Sequence, residues 1–164
     1  MKRKKKGIDF KQERTRIYDD QNPDVYREKK KYKEPTVCSE CGAVFRKGRW
    51  SWDTSVEDAQ TAVCPACRRI SDKYPAGILE ISGSFSEDHK DEILKLIRNK
   101  AKAEKNEHPL ERIMDIEHQD GKKVISTTGF HLARRLGDAL KDAYQGELDI
   151  SYDAENFIRV YWNR

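Results

Sequence analysis

The four cysteines of this chain fall as Cys38-Ser-Glu-Cys41 and Cys64-Pro-Ala-Cys67, two C-x2-C pairs with twenty-two residues between them. A C-x2-C turn aims both sulfurs at one point, and two such turns supply the four thiolates that tetrahedral zinc prefers. All four ligand positions are then protein atoms. A single Zn2+ ion held by Cys38, Cys41, Cys64 and Cys67 is therefore expected to be structural, with no open position for an activated water. A pair of disulfides is the main competing use of four cysteines, and it requires an oxidising compartment. The segment Met1-Lys2-Arg3-Lys4-Lys5-Lys6 has the charge of an export signal, but Gly7 to Arg14 brings no apolar stretch after it. Hydrophobic residues never run more than three together, which excludes a membrane-spanning helix and makes a reducing cytoplasm the expected location.

These knuckles need elements to carry them. With 164 residues, 38% charged and 36% hydrophobic, the chain fits two small units better than one large core. Charge divides it further. Residues 1–36 hold thirteen Lys or Arg against seven Asp or Glu, whereas the remainder holds twenty against twenty-two. Three zones follow: a basic arm over 1–35, a zinc ribbon over 36–75 and an α+β domain over 76–164. The arm lacks helical or alternating apolar periodicity and is expected to be disordered on its own. Its cations Lys2, Arg3, Lys4, Lys5, Lys6, Lys29, Lys30 and Lys31, with Tyr18, Tyr26 and Tyr32 among them, suit a polyanion carrying stackable bases. A solubilising tail is the plainer reading of the same composition.

Between the knuckles lies Arg46-Lys-Gly-Arg49-Trp50-Ser-Trp52, expected on a hairpin or its loop. Arg46, Lys47 and Arg49 could take phosphates while Trp50 stacks on an unpaired base. Packing of Trp50 or Trp52 over the knuckles competes with that reading, because so short a ribbon has almost no core. Arg68 and Arg69, after the second knuckle, would extend the basic surface.

In the third zone Ile78 to Ser82 alternates as a half-buried strand, and Ser84-Phe-Ser-Glu87 has the form of a capping box opening a helix with Ile93, Leu94, Ile97 and Ala101 on one face. Strands are expected near Ile113 to His118 and Val124 to Thr128, joined through Asp120-Gly121. Thr127 or Thr128 would then cap a second helix whose stripe is Leu132, Ala133, Leu136, Leu140, Ala143 and Tyr144, ended at Gly146. Leu148 to Tyr152 and Phe157 to Trp162 read as the last strands. The order is βαββαββ, a split-βαβ-like arrangement with an antiparallel-rich sheet covered on one side by helices. Arg134 and Arg135 on the second helix would face solvent or a phosphate partner. No enzyme signature organises His89, His108, His118 and His131, so a non-enzymatic protein without a small-molecule substrate is expected.

The two knuckles, then Gly83-Ser-Phe, His108-Pro-Leu-Glu-Arg112 and Thr127-Thr-Gly-Phe-His-Leu-Ala-Arg-Arg-Leu-Gly-Asp-Ala-Leu140, resemble a family of small, mostly uncharacterised bacterial zinc-ribbon proteins over nearly the whole chain. More distantly, Pro35 to Trp162 is similar to the N-terminal part of the archaeal and eukaryotic adaptor that binds the large ribosomal subunit. That resemblance implies association with a ribosomal subunit or ribosomal RNA, and it implies the zinc-binding role of the four cysteines. It does not extend to export signalling. The leading expectation is a zinc-binding RNA-binding protein. A DNA-binding transcriptional regulator and a thiol/zinc redox sensor are the alternatives.

Overall fold

The computed structural model describes Tyr26, residues 32–153 and residues 156–164. Lys2 to Lys6 and Lys29 to Lys31 lie outside the described residues. Among the described residues the fold is mixed α+β, with two mixed sheets and four helices.

The first sheet is built from four three-residue strands, β1 (Thr36–Cys38), β2 (Val44–Arg46), β3 (Arg49–Ser51) and β4 (Gln60–Ala62), in the order β3-β2-β1-β4. The first knuckle forms the turn between β1 and β2. Lys47-Gly48 forms the turn between β2 and β3, with both residues at positive φ, 53° and 75°. Such a two-residue turn matches the twist of paired strands, and glycine at its second position adopts it without a Cβ clash. The Glu34 carboxylate accepts from the backbone N–H groups of Lys47 and Gly48, both at 2.9 Å. β4 returns parallel to β1 and leads through the second knuckle into α1 (Pro65–Asp72).

The second sheet holds β5 (Gly77–Ser82), β6 (Ile113–Gln119), β7 (Lys122–Thr127), β8 (Glu147–Tyr152) and β9 (Ile158–Asn163), ordered β6-β7-β5-β9-β8. Only the β5–β9 pairing is parallel. Period-two alternation sends Leu79, Ile81, Ile125, Ile158, Val160 and Trp162 to one face, where they form a continuous core with α3 (Lys90–Glu107) and α4 (Phe130–Tyr144). In the register of the five strands the opposite face carries Glu80, Asp115, Glu117, Glu147 and Asp149 against Lys122 and Arg159. Its net charge is negative.

The helix starts differ from the sequence expectation. The capping box at Ser84 does not form, because Ser84 is already helical and Gly83, at φ 101°, stands at the N-cap. Ser86 Oγ instead donates to the Gly83 carbonyl at 2.7 Å, and the short α2 (Ser84–Asp88) breaks at His89 before α3 begins. Neither Thr127 nor Thr128 caps α4, whose N-cap is Gly129. Their hydroxyls donate to the carbonyls of Gly129 and Leu110, at 2.8 and 2.6 Å. The Glu111 carboxylate takes the free N–H of Leu132 at 3.0 Å, twenty-one residues away. Gly129 leaves room for it, since a Cβ there would collide with that carboxylate. On α4 the stripe of Leu132, Ala133, Leu136 and Leu140 is buried, but Ala143 is exposed. The helix ends one residue before Gly146, at Gln145 with φ 61°.

Candidate metal centre

Each knuckle is shaped by backbone hydrogen bonds. Gly42 N–H donates to the Cys38 carbonyl at 3.0 Å, closing the first turn. Cys64 is the N-cap of α1, its sulfur accepting from Cys67 N–H at 3.4 Å, and Pro65 occupies the first turn, where a missing N–H costs nothing. Cys64 N–H in turn donates to Cys38 Sγ at 3.3 Å, tying one knuckle to the other.

The four sulfurs converge, all lying within 4.8 Å of one another. Cys38 Sγ is 3.8 Å from Cys67 Sγ, and Cys41 Sγ is 3.8 Å from Cys64 Sγ. A tetrahedron with metal–sulfur bonds of about 2.3 Å has edges of about 3.8 Å, so the cage fits a zinc-sized ion. The thiols are free of disulfides, and an all-sulfur tetrahedral donor set is the kind that selects zinc or iron. Without an ion the thiols are unequal. Burial pushes Cys38 up, but the backbone N–H groups of Cys64, Cys41 and Glu40 outweigh it and bring the thiol down to about 6. Burial also raises Cys64 and Cys67. Metal binding must displace protons held by these thiols.

One arginine from the other unit completes the site. Arg112, 9% exposed, reaches from the segment between α3 and β6 into the cysteine cluster. Its Nη1 donates to Cys67 Sγ at 3.4 Å, and Nη2 donates to Cys41 and Cys64 Sγ at 3.4 and 3.3 Å. Nε is held by the Pro109 carbonyl at 2.8 Å and the backbone N–H by Thr128 Oγ1 at 2.9 Å. Burial alone would lower the guanidinium pKa, but the hydrogen bond to Cys67 and the charges of the three thiolates raise it. Four thiolates around a divalent ion leave an excess of two negative charges, and Arg112 offsets one of them from a largely buried position.

The aromatic residues brace this junction. Trp52 Nε1 donates to the Lys105 carbonyl near the end of α3 at 2.6 Å, and Leu110, Trp50 and Trp52 pack against the cysteines. Trp50 also meets Tyr32 and Phe45, with ring centroids 5.1 and 5.5 Å away. Between the units lies a cleft of about 370 Å³ lined by Trp50, Pro109, Leu110, Glu104, His108, Glu111, His131 and Arg135. Two of the scattered histidines thus share one cavity.

The basic residues singled out by sequence are distributed unevenly. Arg46 is paired with Asp53 at 3.0 Å, while Lys47 and Arg49 are exposed at the hairpin tip. Arg68 is half-buried beside Cys67. Arg69 is 6% exposed, its guanidinium 4.3 Å from the Tyr26 ring centroid and donating to the Tyr74 carbonyl at 3.2 Å, so it packs Tyr26 onto α1. Arg134 contacts Tyr152 Oη at 3.4 Å and Asp138 at 3.9 Å, and Arg135 is paired with Glu104. The sequence reading passed over a better-placed set. Lys95, Arg98, Lys102 and Lys105 are all exposed on α3, and among the described residues the first three make no ion pair. Their spacing of three, four and three residues puts them on one helical stripe about 15 Å long.

Fold and site together define a mixed α+β protein whose four-cysteine cluster could hold a metal ion such as zinc. No protein-family model, curated protein or solved structure matches the chain. Among the described residues no helix is long and apolar enough to cross a membrane.

Proposed function

We propose that this chain is a non-enzymatic, zinc-stabilised RNA-binding protein of the cytoplasm that acts on ribosomal RNA or a ribosomal subunit. The observation that carries the zinc part is the convergence of four sulfurs within 4.8 Å, capped by a buried guanidinium. A closed cage of this kind fixes the ribbon against the α+β domain and leaves no coordination position for chemistry. The RNA part is supported by charge. The arm has a cation excess, Lys47 and Arg49 stand exposed on the hairpin, and the α3 stripe keeps Lys95, Arg98 and Lys102 without an ion pair among the described residues. The acidic outer face of the second sheet is the wrong surface for phosphates, which confines RNA to the helical and ribbon sides. The ribosomal target rests on the distant resemblance of Pro35 to Trp162.

Metal analysis of the purified protein together with crosslinking in cells and sucrose-gradient sedimentation tests the reading. One zinc per chain, recovered ribosomal RNA and co-migration with a subunit are expected. A metal-free protein, or one that sediments alone and recovers no RNA above background, overturns it.

A further inference from the structure

The cleft between the units has walls and a floor of different chemistry. Trp50, Pro109 and Leu110 give it an apolar, partly aromatic lining. Glu111 gives it a carboxylate in a poorly hydrated place: burial pushes that carboxyl up, against the Leu132 N–H, which favours the charged form. Only Oε2 is engaged, by Leu132 N–H at 3.0 Å. Among the described residues no donor reaches Oε1. The remaining charges at the cleft largely cancel, because Arg135 is paired with Glu104. His108 sits 4.0 Å from Glu107, and burial and then the Arg135 and Arg134 charges lower the His131 pKa below its ordinary value. A phosphate would therefore meet a carboxylate and no free cation. A planar ring with adjacent N–H donors would meet an acceptor and an indole.

We propose that this cleft binds an unpaired guanine base of single-stranded RNA, which Glu111 reads and Trp50 packs against. Guanine is the base whose pairing edge presents two neighbouring donors, N1–H and the N2 amino group, and a carboxylate is a pure acceptor that can take both. Adenine and cytosine present one amino donor beside a ring acceptor, which would face the carboxylate repulsively. Stacking on an aromatic side chain supplies sequence-tolerant affinity, and the carboxylate supplies the choice of base. The inference rests on the RNA-binding reading above and adds the ligand that the cleft takes.

The test is fluorescence anisotropy of the full chain, zinc-loaded, with nine-residue oligouridylates carrying one central guanine, hypoxanthine, adenine or cytosine. A bidentate base contact discriminates by about 1–3 kcal/mol, so guanine is expected to bind about tenfold or more tightly than adenine or cytosine. Hypoxanthine, which lacks the N2 amino group, should fall between. Glu111→Gln keeps an oxygen for Leu132 N–H but turns an amide donor toward the base, and it should bring the four oligomers within about twofold of one another. Circular dichroism of that variant, superimposable on the parent, establishes that the fold is kept. Equal binding of all four oligomers by the parent chain, or a guanine preference that survives Glu111→Gln, overturns the inference while leaving RNA binding intact. Failure to bind any RNA overturns the RNA reading itself.

Discussion

Replacing Arg112 by methionine removes the only charge that, among the described residues, the α+β domain places against the four sulfurs, while keeping most of the side-chain volume. In its place the guanidinium donates to Cys41, Cys64 and Cys67 at 3.3 to 3.4 Å from a position 9% exposed. Outer partners of metal ligands are worth about 10- to 100-fold in metal affinity, or about 1.4–2.7 kcal/mol. The upper end is expected here, because one largely buried guanidinium serves three sulfurs. Uncompensated buried charge also destabilises the protein, by about 3–5 kcal/mol when one member of a buried pair is removed. Arg112→Lys should fall between parent and Arg112→Met: it restores charge, but one ammonium cannot span three sulfurs and the Pro109 carbonyl at once. Zinc competition against a chromophoric chelator at pH 7 measures the first effect, and denaturant unfolding of the zinc-loaded protein measures the second. Parent-like zinc affinity and stability in Arg112→Met would refute the argument that the guanidinium neutralises the cage.

Four further outcomes follow from the same geometry. Chelation of the metal, or Cys64→Ser, should abolish the ribbon's near-ultraviolet tryptophan signal while leaving the far-ultraviolet signal of α3 and α4 largely intact, because the Leu79–Trp162 core contains no ligand. Reversing Lys95, Arg98 and Lys102 to glutamate should lower the slope of log K against log salt by about 2 for single-stranded RNA, whereas reversing the already paired Arg134 should change it little; equal slopes would remove α3 from the interface. Trp52→Phe should speed amide exchange at the ribbon–α3 junction through loss of the 2.6 Å bond to Lys105, and unchanged exchange would show that apolar packing alone holds it. Glu111 carries a pH signature with a definite sign. Burial raises its folded-state pKa, so its contribution favours folding below its unfolded value and is lost as pH rises through the raised one. Glu111→Gln should then gain stability relative to the parent over that window, while Glu111→Ala, which also frees Leu132 N–H, should lose about 1 kcal/mol. Parallel pH–stability curves for parent and Glu111→Gln would contradict this.

The sequence was most legible where chemistry is local. The C-x2-C spacing brings two sulfurs together whatever surrounds it, and the first knuckle is a tight turn while the second is the opening turn of α1. Alternation in Ile78 to Ser82 and the Asp120-Gly121 turn are likewise short-range signals, and they appear as β5 and the β6–β7 connection. Helix starts were less legible, because a cap is a competition for one N–H. Ser84 and Thr128 have the chemistry to win it, yet Glu111 and Gly129 take the place at α4 through a contact across the fold. The fates of the arginines could not be read at all. Arg46, Arg69, Arg112, Arg134 and Arg135 look alike in a string of letters, and burial with particular partners makes one a metal-site residue, one a packing residue and the rest members of pairs.

By itself the sequence determined the four cysteines of the cluster, the strand and helix periodicities and the basic bias of the first 36 residues, since each depends on residue type and near spacing. Only the tertiary structure decided that Arg112 closes the cysteine cage, that Trp52 fastens ribbon to helix, and that His108, Glu111 and His131 meet across one cleft. Those contacts join segments 20 to 71 positions apart, and their geometry is fixed by how two packed units dock, which no local pattern encodes.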